Sequence, residues 1–166
     1  MEDCLNKYIC LYSKDLTKFC ISICNNVTDA EDLFQETWYK AIKNFKKYDE
    51  KLPFDKWLFT ICANTYKDSI KLFYNKKKLN FDSNEEKEKF LNSIPCIEKE
   101  NPDNYYEIHK AIMSLPKKLK ITLCLYYFKE YSIKEISEIL KIPEGTVKSR
   151  LNSAKKIIKG RLENEK

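Results

Sequence analysis

Glycine is nearly missing from this chain, with two residues in 166 beside only five prolines. A phosphate-cradling loop needs several glycines close together, so none is expected here. Histidine is scarcer still. With His109 alone, no Ser-His-Asp set can be assembled and little remains to build a catalytic site, so the chain is not expected to be an enzyme. No apolar run is long enough to span a bilayer. The acidic start MEDCLNKYIC also lacks the basic segment and apolar stretch of a cleaved secretory signal. The expectation is a cytoplasmic chain without membrane insertion.

Cysteine is present, but not in a useful pattern. The seven fall at 4, 10, 20, 24, 62, 96 and 124, an odd number without a Cys-x-x-Cys pair, which argues against a disulfide framework or a zinc knuckle. They are expected to act as small buried hydrophobes. Cys20 and Cys24, one helical turn apart, are the pair best placed to share a metal, but a single histidine leaves no complete ligand set, so no metal and no cofactor are expected. His109 is assigned to a helix surface or interface.

What is present is apolar material at helical spacing. A hydrophobic fraction of 43% with 13% aromatics is enough for compact cores, and the recurrence at three and four makes the chain all-α. Charge is unevenly spread. Residues 1–75 hold 11 basic and 11 acidic side chains, whereas residues 105–166 hold 14 basic against seven acidic. A basic C-terminal third is the footprint of phosphate contacts, whose strength falls steeply with salt.

In chain order, Leu5, Tyr8, Ile9, Tyr12, Leu16, Phe19, Cys20 and Ile23 describe one long amphipathic helix. Asp29 is expected to cap a second, Ala30 to Phe45, which buries Ala30, Leu33, Phe34, Trp38, Ala41 and Phe45. Glu31 and Asp32 suit its first turn and dipole. Gln35 and Glu36, a turn further in, have no evident local need. Lys46 to Pro53 reads as a polar loop. A helix then runs from near Phe54 to Lys76, Lys77 and Lys78, with Trp57 assigned to the core and Tyr48, Lys56, Asn64, Lys67 and Lys71 to the exposed side. Aromatics interleaved with lysines suit unpaired bases, since stacking one base on a ring is worth about 1–3 kcal/mol. Residues 79–104 are densely charged with no sustained apolar period and read as a linker.

Tyr131 to Arg161 organises the rest. Ser132 and Glu135 form a capping box that starts a helix at Ile133; Ile136, Ile139 and Leu140 make its buried stripe. Lys141 and Ile142 turn the chain. Pro143 suits the first turn of a second helix whose stripe is Val147, Leu151, Ala154 and Ile158. Its outer face carries Lys148, Ser149, Asn152, Ser153 and Lys155, cations and short hydrogen-bonding groups that fit a major groove. A lone Lys-rich helix is more often a solvated face, but capped helix, short break and basic helix together read as a helix-turn-helix. Leu119, Leu123, Tyr126 and Tyr127, on a helix from Lys117 to Phe128, are expected to pack beneath it.

The segment YSIKEISEILKIPEGTVKSRL resembles region 4 of bacterial RNA polymerase sigma factors, in particular the small extracytoplasmic-function group, through Glu135, Ile136, Leu140, Gly145, Thr146, Val147, Ser149 and Arg150. DAEDLFQETWYKAI resembles region 2, and Asp55, Trp57, Leu58, Ile61, Asn64 and Asp68 fit its continuation, with Lys71 where arginine is more usual. The chain departs from the group at Glu130 and Lys141, where glycine is usual, and at Ser153, where another basic residue is common. A non-glycine residue in the left-handed conformation costs about 1 kcal/mol, so a strained turn is expected.

The resemblance implies two small helical domains, residues 1–78 and 105–166, joined by a charged linker at 79–104. The first is expected to dock on core RNA polymerase through Asp32, Gln35 and Glu36 and to open the minus-10 element, capturing a flipped base. In the linker, Asp82, Glu85, Glu86 and Glu88 would thread the polymerase channel. The second is expected to read minus-35 promoter DNA through Lys148, Ser149, Asn152 and Ser153, with Arg150, Lys155 and Lys156 on phosphates. The resemblance further implies a monomer when free and an anti-sigma factor as partner. The rival readings are a dimeric helix-turn-helix regulator on a palindromic site and a helical sensor using Cys20 and Cys24.

Overall fold

In this computed structural model residues 2–76 and 102–164 are described, with side chains over 4–69 and 107–164. The chain divides into two units, Met1–Ile94 and Pro95–Lys166. Among the described residues every regular element is helical. Most of the expected linker, with Asp82, Glu85, Glu86 and Glu88, lies outside them.

In the first unit the spacing of Leu16, Phe19, Cys20 and Ile23 makes one stripe, and helix α1, Glu2–Ile23, buries all four. Helix α2 spans Val27–Asn44 and begins earlier than expected. Asn26, rather than Asp29, is the N-cap. Its Oδ1 accepts the Asp29 N–H at 2.7 Å and its Nδ2 donates to the Asp29 carboxylate at 2.9 Å. Asparagine caps as well as aspartate and can also donate, so Asp29 serves better in the first turn, facing the positive end of the helix dipole. Ala30, Leu33, Thr37, Trp38 and Ala41 are buried, while Phe34 and Phe45 are only half-buried. Thr37 is tolerated inside because its hydroxyl donates to the Leu33 carbonyl at 2.6 Å.

A single 3-10 turn, Phe45–Lys47, prolongs α2 into what reads from sequence as loop. Helix α3, Phe54–Lys76, packs against α1 and α2. Phe59 meets Phe19 edge to face at 5.1 Å, and the Tyr66 hydroxyl donates to the Ile23 carbonyl at 2.9 Å, satisfying an acceptor at the end of α1 that has no partner within its own helix. Cys20, Cys24 and Cys62 are buried. The Cys20 sulfur meets Cys62, across from α1 to α3, at 4.0 Å. That thiol contact and burial push Cys20 well above the ordinary thiol range, so it stays protonated and inert.

The second unit has helices α4 (Pro102–Met113), α5 (Lys117–Tyr127), α6 (Ile133–Leu140) and α7 (Glu144–Asn164). Residues 102–104, placed in the linker by sequence, are already helical. Helix α7 is the spine against which the other three pack. The buried arc of α5 is wide, from Lys120 to Leu125. Leu123 is inside as expected, but Leu119 and Tyr126 are half-buried and Tyr127 is 53% exposed. The expected stripe is therefore rotated: Ile121, Cys124 and Leu125 fill the space, and the two tyrosines are too bulky to share it. Lys120 is also buried, at 1% exposed.

Two residues take the left-handed conformation, Glu130 and Lys141, each with φ of 55°. These are the two positions where the resembling group carries glycine. Each allows a reverse hydrogen bond to the end of the preceding helix, from Tyr131 N–H to the Leu125 carbonyl, six residues back, at 3.2 Å and from Ile142 N–H to the Ser137 carbonyl, five residues back, at 3.1 Å. The two actual glycines, Gly145 and Gly160, lie within α7 and neither has positive φ.

Candidate nucleic-acid interface

The second unit presents the better defined surface. The capping box is formed: Ser132 Oγ accepts the Glu135 N–H at 3.2 Å, and Glu135 Oε2 accepts the Ser132 N–H at 2.8 Å. Ile136, Ile139 and Leu140 are buried beneath it. Pro143 stands just before α7, not in its first turn, and its carbonyl accepts from Thr146 at 2.9 Å and Val147 at 3.1 Å. Proline has no N–H to leave unpaired there.

With Val147, Leu151 and Ala154 buried and Ile158 half-buried, the opposite face of α7 is open: Lys148, Ser149, Asn152, Ser153, Lys155 and Lys156 are all exposed. Ser149 donates to the Thr146 carbonyl at 3.0 Å, which leaves its oxygen free to accept. Lys155 rests with Nζ 5.9 Å from the centre of the Tyr127 ring. Arg150 falls at the edge of the buried stripe, half-buried, and burial lowers its guanidinium somewhat from its ordinary value; it remains a cation.

A second feature of this unit has no counterpart in the sequence reading. Ile108, Ile112, Leu123, Tyr127, Phe128, Ile158 and Leu162 line an apolar groove of about 460 Å³ between α4, α5 and the end of α7, with Lys155, Lys159 and Glu163 at its rim. The signal was Ile158 and Leu162 continuing the α7 stripe beyond the reach of α6. His109, one residue along from Ile108, is half-buried, and both its ring nitrogens lack a hydrogen-bond partner among the described residues. Burial, then the nearby Lys120 charge, lowers its pKa from the ordinary 6.5.

In the first unit, Asp32, Gln35 and Glu36 are exposed on α2. Glu36 is not idle, as it pairs with Lys40 at 3.5 Å, although an exposed pair of this kind is worth only a few tenths of a kcal/mol. Beside them Tyr39 and Ile42 are 59% and 48% exposed, an apolar addition to this face which sequence reasoning missed; both fall off the buried stripe at four and seven residues from Gln35.

Seven aromatic rings gather where α1, α2, the 3-10 turn and α3 meet, Trp38 of α2 among them at 6.4 Å from Phe54. Phe54, 4% exposed, is the centre; Tyr8 stacks on it at 4.0 Å, and Tyr12, Phe45, Tyr48 and Trp57 surround it. Trp57 is half-buried at the rim, not in the core, because Phe54 occupies the space. The Tyr48 hydroxyl donates to the Leu52 carbonyl, and burial raises the Tyr48 phenol from its ordinary value. Along α3, Lys56, Asn64 and Lys67 recur at one stripe but are half-buried. The expected exposed side is therefore partly covered, since Phe54, Leu58, Phe59, Cys62, Ala63 and Tyr66 bury a wide arc of the helix. The side chain of Lys71 lies outside the described ones.

Residues 10–72 match the family described as Sigma-70 region 2, and residues 105–158 match Sigma-70, region 4. The chain belongs to the sigma-70 family, in its extracytoplasmic-function group. The ECF RNA polymerase sigma factor SigW of Bacillus subtilis is 28% identical, over 97% of this chain and 90% of its own length; SigM of the same organism is 29% identical, over 90% and 89%. Among solved structures, the sigma factor RpoE of Bartonella quintana in complex with the anti-sigma factor NepR shares the fold, with a TM-score of 0.77 and 21% identity over both whole chains. CnrH in complex with the cytosolic domain of CnrY gives 0.70 and 17%, over 100% of this chain and 92% of that one.

As an ECF sigma factor the chain is a promoter-specificity subunit of RNA polymerase and not an enzyme, which sets aside the dimeric regulator. Both matched regions coincide with helical units described above: region 2 with α1 to α3, region 4 with α4 to α7. No helix among the described residues is long and apolar enough to cross a membrane.

Proposed function

We propose that this sigma factor acts in the cytoplasm as a monomer, docks its first unit on core RNA polymerase through Asp32, Gln35 and Glu36, and divides promoter reading between its units. Tyr39 and Ile42 extend the docking face. The 3-10 turn, the loop to Pro53 and the stripe Lys56, Asn64, Lys67 and Lys71 handle the opened minus-10 element, with Tyr48 at the loop. Lys148, Ser149, Asn152 and Ser153 read minus-35 base edges, and Arg150, Lys155 and Lys156 meet phosphates. The domain bounds we favour are 1–78, 79–104 as linker and 105–166, with the first residues of α4, from Pro102, at the end of the linker.

The observation that carries this reading is the open polar face of α7, presented behind a doubly capped α6. A helix with cations and short hydrogen-bonding groups on one side and Val147, Leu151 and Ala154 buried on the other can enter a major groove without disturbing its own core. An anti-sigma factor is the expected regulator: the apolar groove beside Tyr127 and Phe128 suits an apolar helix from such a partner, and one structural relative, RpoE, is held by one.

The test is run-off transcription by core polymerase with the purified chain on a pool of randomised promoters. Selection of a two-part motif, with Asn152→Ala relaxing only the upstream part, supports the division of labour. Retention by core without sequence selection would end the assignment of α7 as reader, and a stable homodimer on symmetric duplex that ignores core would end the whole reading.

A further inference from the structure

Tyr8 lies on α1, outside every segment given a promoter role above, yet its ring meets Phe45, Tyr48 and Phe54, the same three rings that Trp57 meets from α3. It stacks on Phe54 at 4.0 Å with the planes 2° apart, and stands edge-on to Phe45 at 6.2 Å and to Tyr48 at 6.4 Å. Phe45 opens the 3-10 turn, Tyr48 closes it and Phe54 begins α3. One side chain of α1 therefore touches the start, the middle and the end of the segment joining α2 to α3.

The loop has some order of its own. The Leu52 N–H reaches the Asp49 carbonyl at 2.9 Å and the Lys51 N–H reaches Asp49 Oδ1 at 3.0 Å, while Tyr48 donates to the Leu52 carbonyl. These bonds fix the shape of the loop tip. They do not fix its direction relative to α3, because Asp49 to Pro53 are exposed or nearly so and bring no buried side chain of their own. Direction comes from the Tyr48 and Phe45 rings, and the side chain they share on α1 is Tyr8; its hydroxyl also contributes to the raised Tyr48 phenol.

We infer that Tyr8 is a positioning residue for promoter opening: its ring holds the segment from Phe45 to Phe54 in the pose that receives an unpaired base, without touching DNA itself. This rests on the assignment of that loop to the minus-10 element made above. A preorganised loop spends none of its binding energy on ordering, so loss of the strut is expected in the opening step rather than in polymerase docking, which uses the outer face of α2.

The experiment uses the full chain in holoenzyme. Tyr8→Ala should bind core as tightly as wild type, and form open complexes about tenfold more slowly, the scale of losing a well-placed aromatic pair; Tyr8→Phe, which keeps the ring, should restore the rate. Tyr8→Leu keeps apolar bulk without a ring and replaces Tyr8→Ala should the latter not fold; it should also open slowly. Normal opening by a folded Ala or Leu variant overturns the inference, and so does an equal loss of core binding and opening, which would mean a general scaffold role. Tyr48→Ala in parallel separates the two ideas: if it too opens promoters normally, the assignment of the loop has failed, whereas slow opening by Tyr48→Ala with normal opening by Tyr8→Ala removes Tyr8 alone.

Discussion

Helices α3 and α7, both proposed to meet DNA, present their polar residues differently. On α7 the polar face is bare: Lys148, Ser149, Asn152 and Lys155 meet solvent while the stripe behind them is closed. On α3 the corresponding residues, Lys56, Asn64 and Lys67, sit half-covered at the margin of a wide buried arc. A bare face suits duplex, whose grooves and phosphates come to it ready made. A half-covered stripe beside an aromatic cluster suits single strands, which can be drawn into shallow clefts and stacked. On the proposed assignment, the two units separate reading from opening by how much of each helix is left outside.

The sharpest way to break that comparison is to test whether the units are independent. Val147→Asp puts an unpaired charge into a position that is 0% exposed, which should cost about 4 kcal/mol or more and melt the second unit. Calorimetry should then retain the transition of the first unit. Loss of both transitions together would show one cooperative body.

Next in size is the contrast between cations. Lys148→Ala should weaken binding to promoter duplex about tenfold and reduce the slope of log affinity against log salt by about 0.9, one phosphate contact. Lys67→Ala should leave duplex binding unchanged and slow opening instead. Equal effects of the two substitutions on duplex affinity would erase the distinction between the helices.

A smaller effect is expected at the turn. Lys141 is left-handed with φ of 55°, so Lys141→Gly should stabilise the second unit by about 1 kcal/mol. Gly160→Ala should add about 0.5–1 kcal/mol, since nothing lies within 4 Å of the Cβ it would gain. Urea midpoints measure both, and an unchanged midpoint for Lys141→Gly would mean the turn is unstrained.

Smallest is a pH effect confined to the second unit. Burial keeps the folded pKa of His109 below its ordinary 6.5, so the unfolded chain takes up the proton first. Stability is therefore complete above about pH 6.5 and falls as the pH drops below that value toward the folded pKa. The melting temperature should decline on acidification, and His109→Leu should flatten that decline; an identical slope in the variant would assign it to other groups.

Sequence patterns captured what depends on neighbours along the chain. The capping box at Ser132 and Glu135 and the stripes of α6 and α7 follow from spacing within a single turn or helix, while the left-handed pair at Glu130 and Lys141 was legible only through the resemblance, as two positions where glycine is usual. Misplaced features depend on what arrives from elsewhere. Trp57 loses the centre of the aromatic cluster to Phe54, and Tyr127 is left outside because Ile121, Cys124 and Leu125 take the inner arc of α5. Asn26 displaced Asp29 as a cap because two good candidates stood three residues apart, and periodicity does not choose between them. The apolar groove was invisible for the same reason as the Tyr8 contacts: both form where three separate elements converge.

The scattered cysteines have a practical consequence. Cys4 and Cys10 are exposed on α1; Cys20, Cys24 and Cys62 are closed inside the first unit and Cys124 inside the second. An alkylating reagent will mark the outer pair at once and reach the inner ones only as each unit breathes. The chain thus carries its own stopwatch, in which peptide-resolved labelling of Cys62 and Cys124 times the opening of the two halves separately.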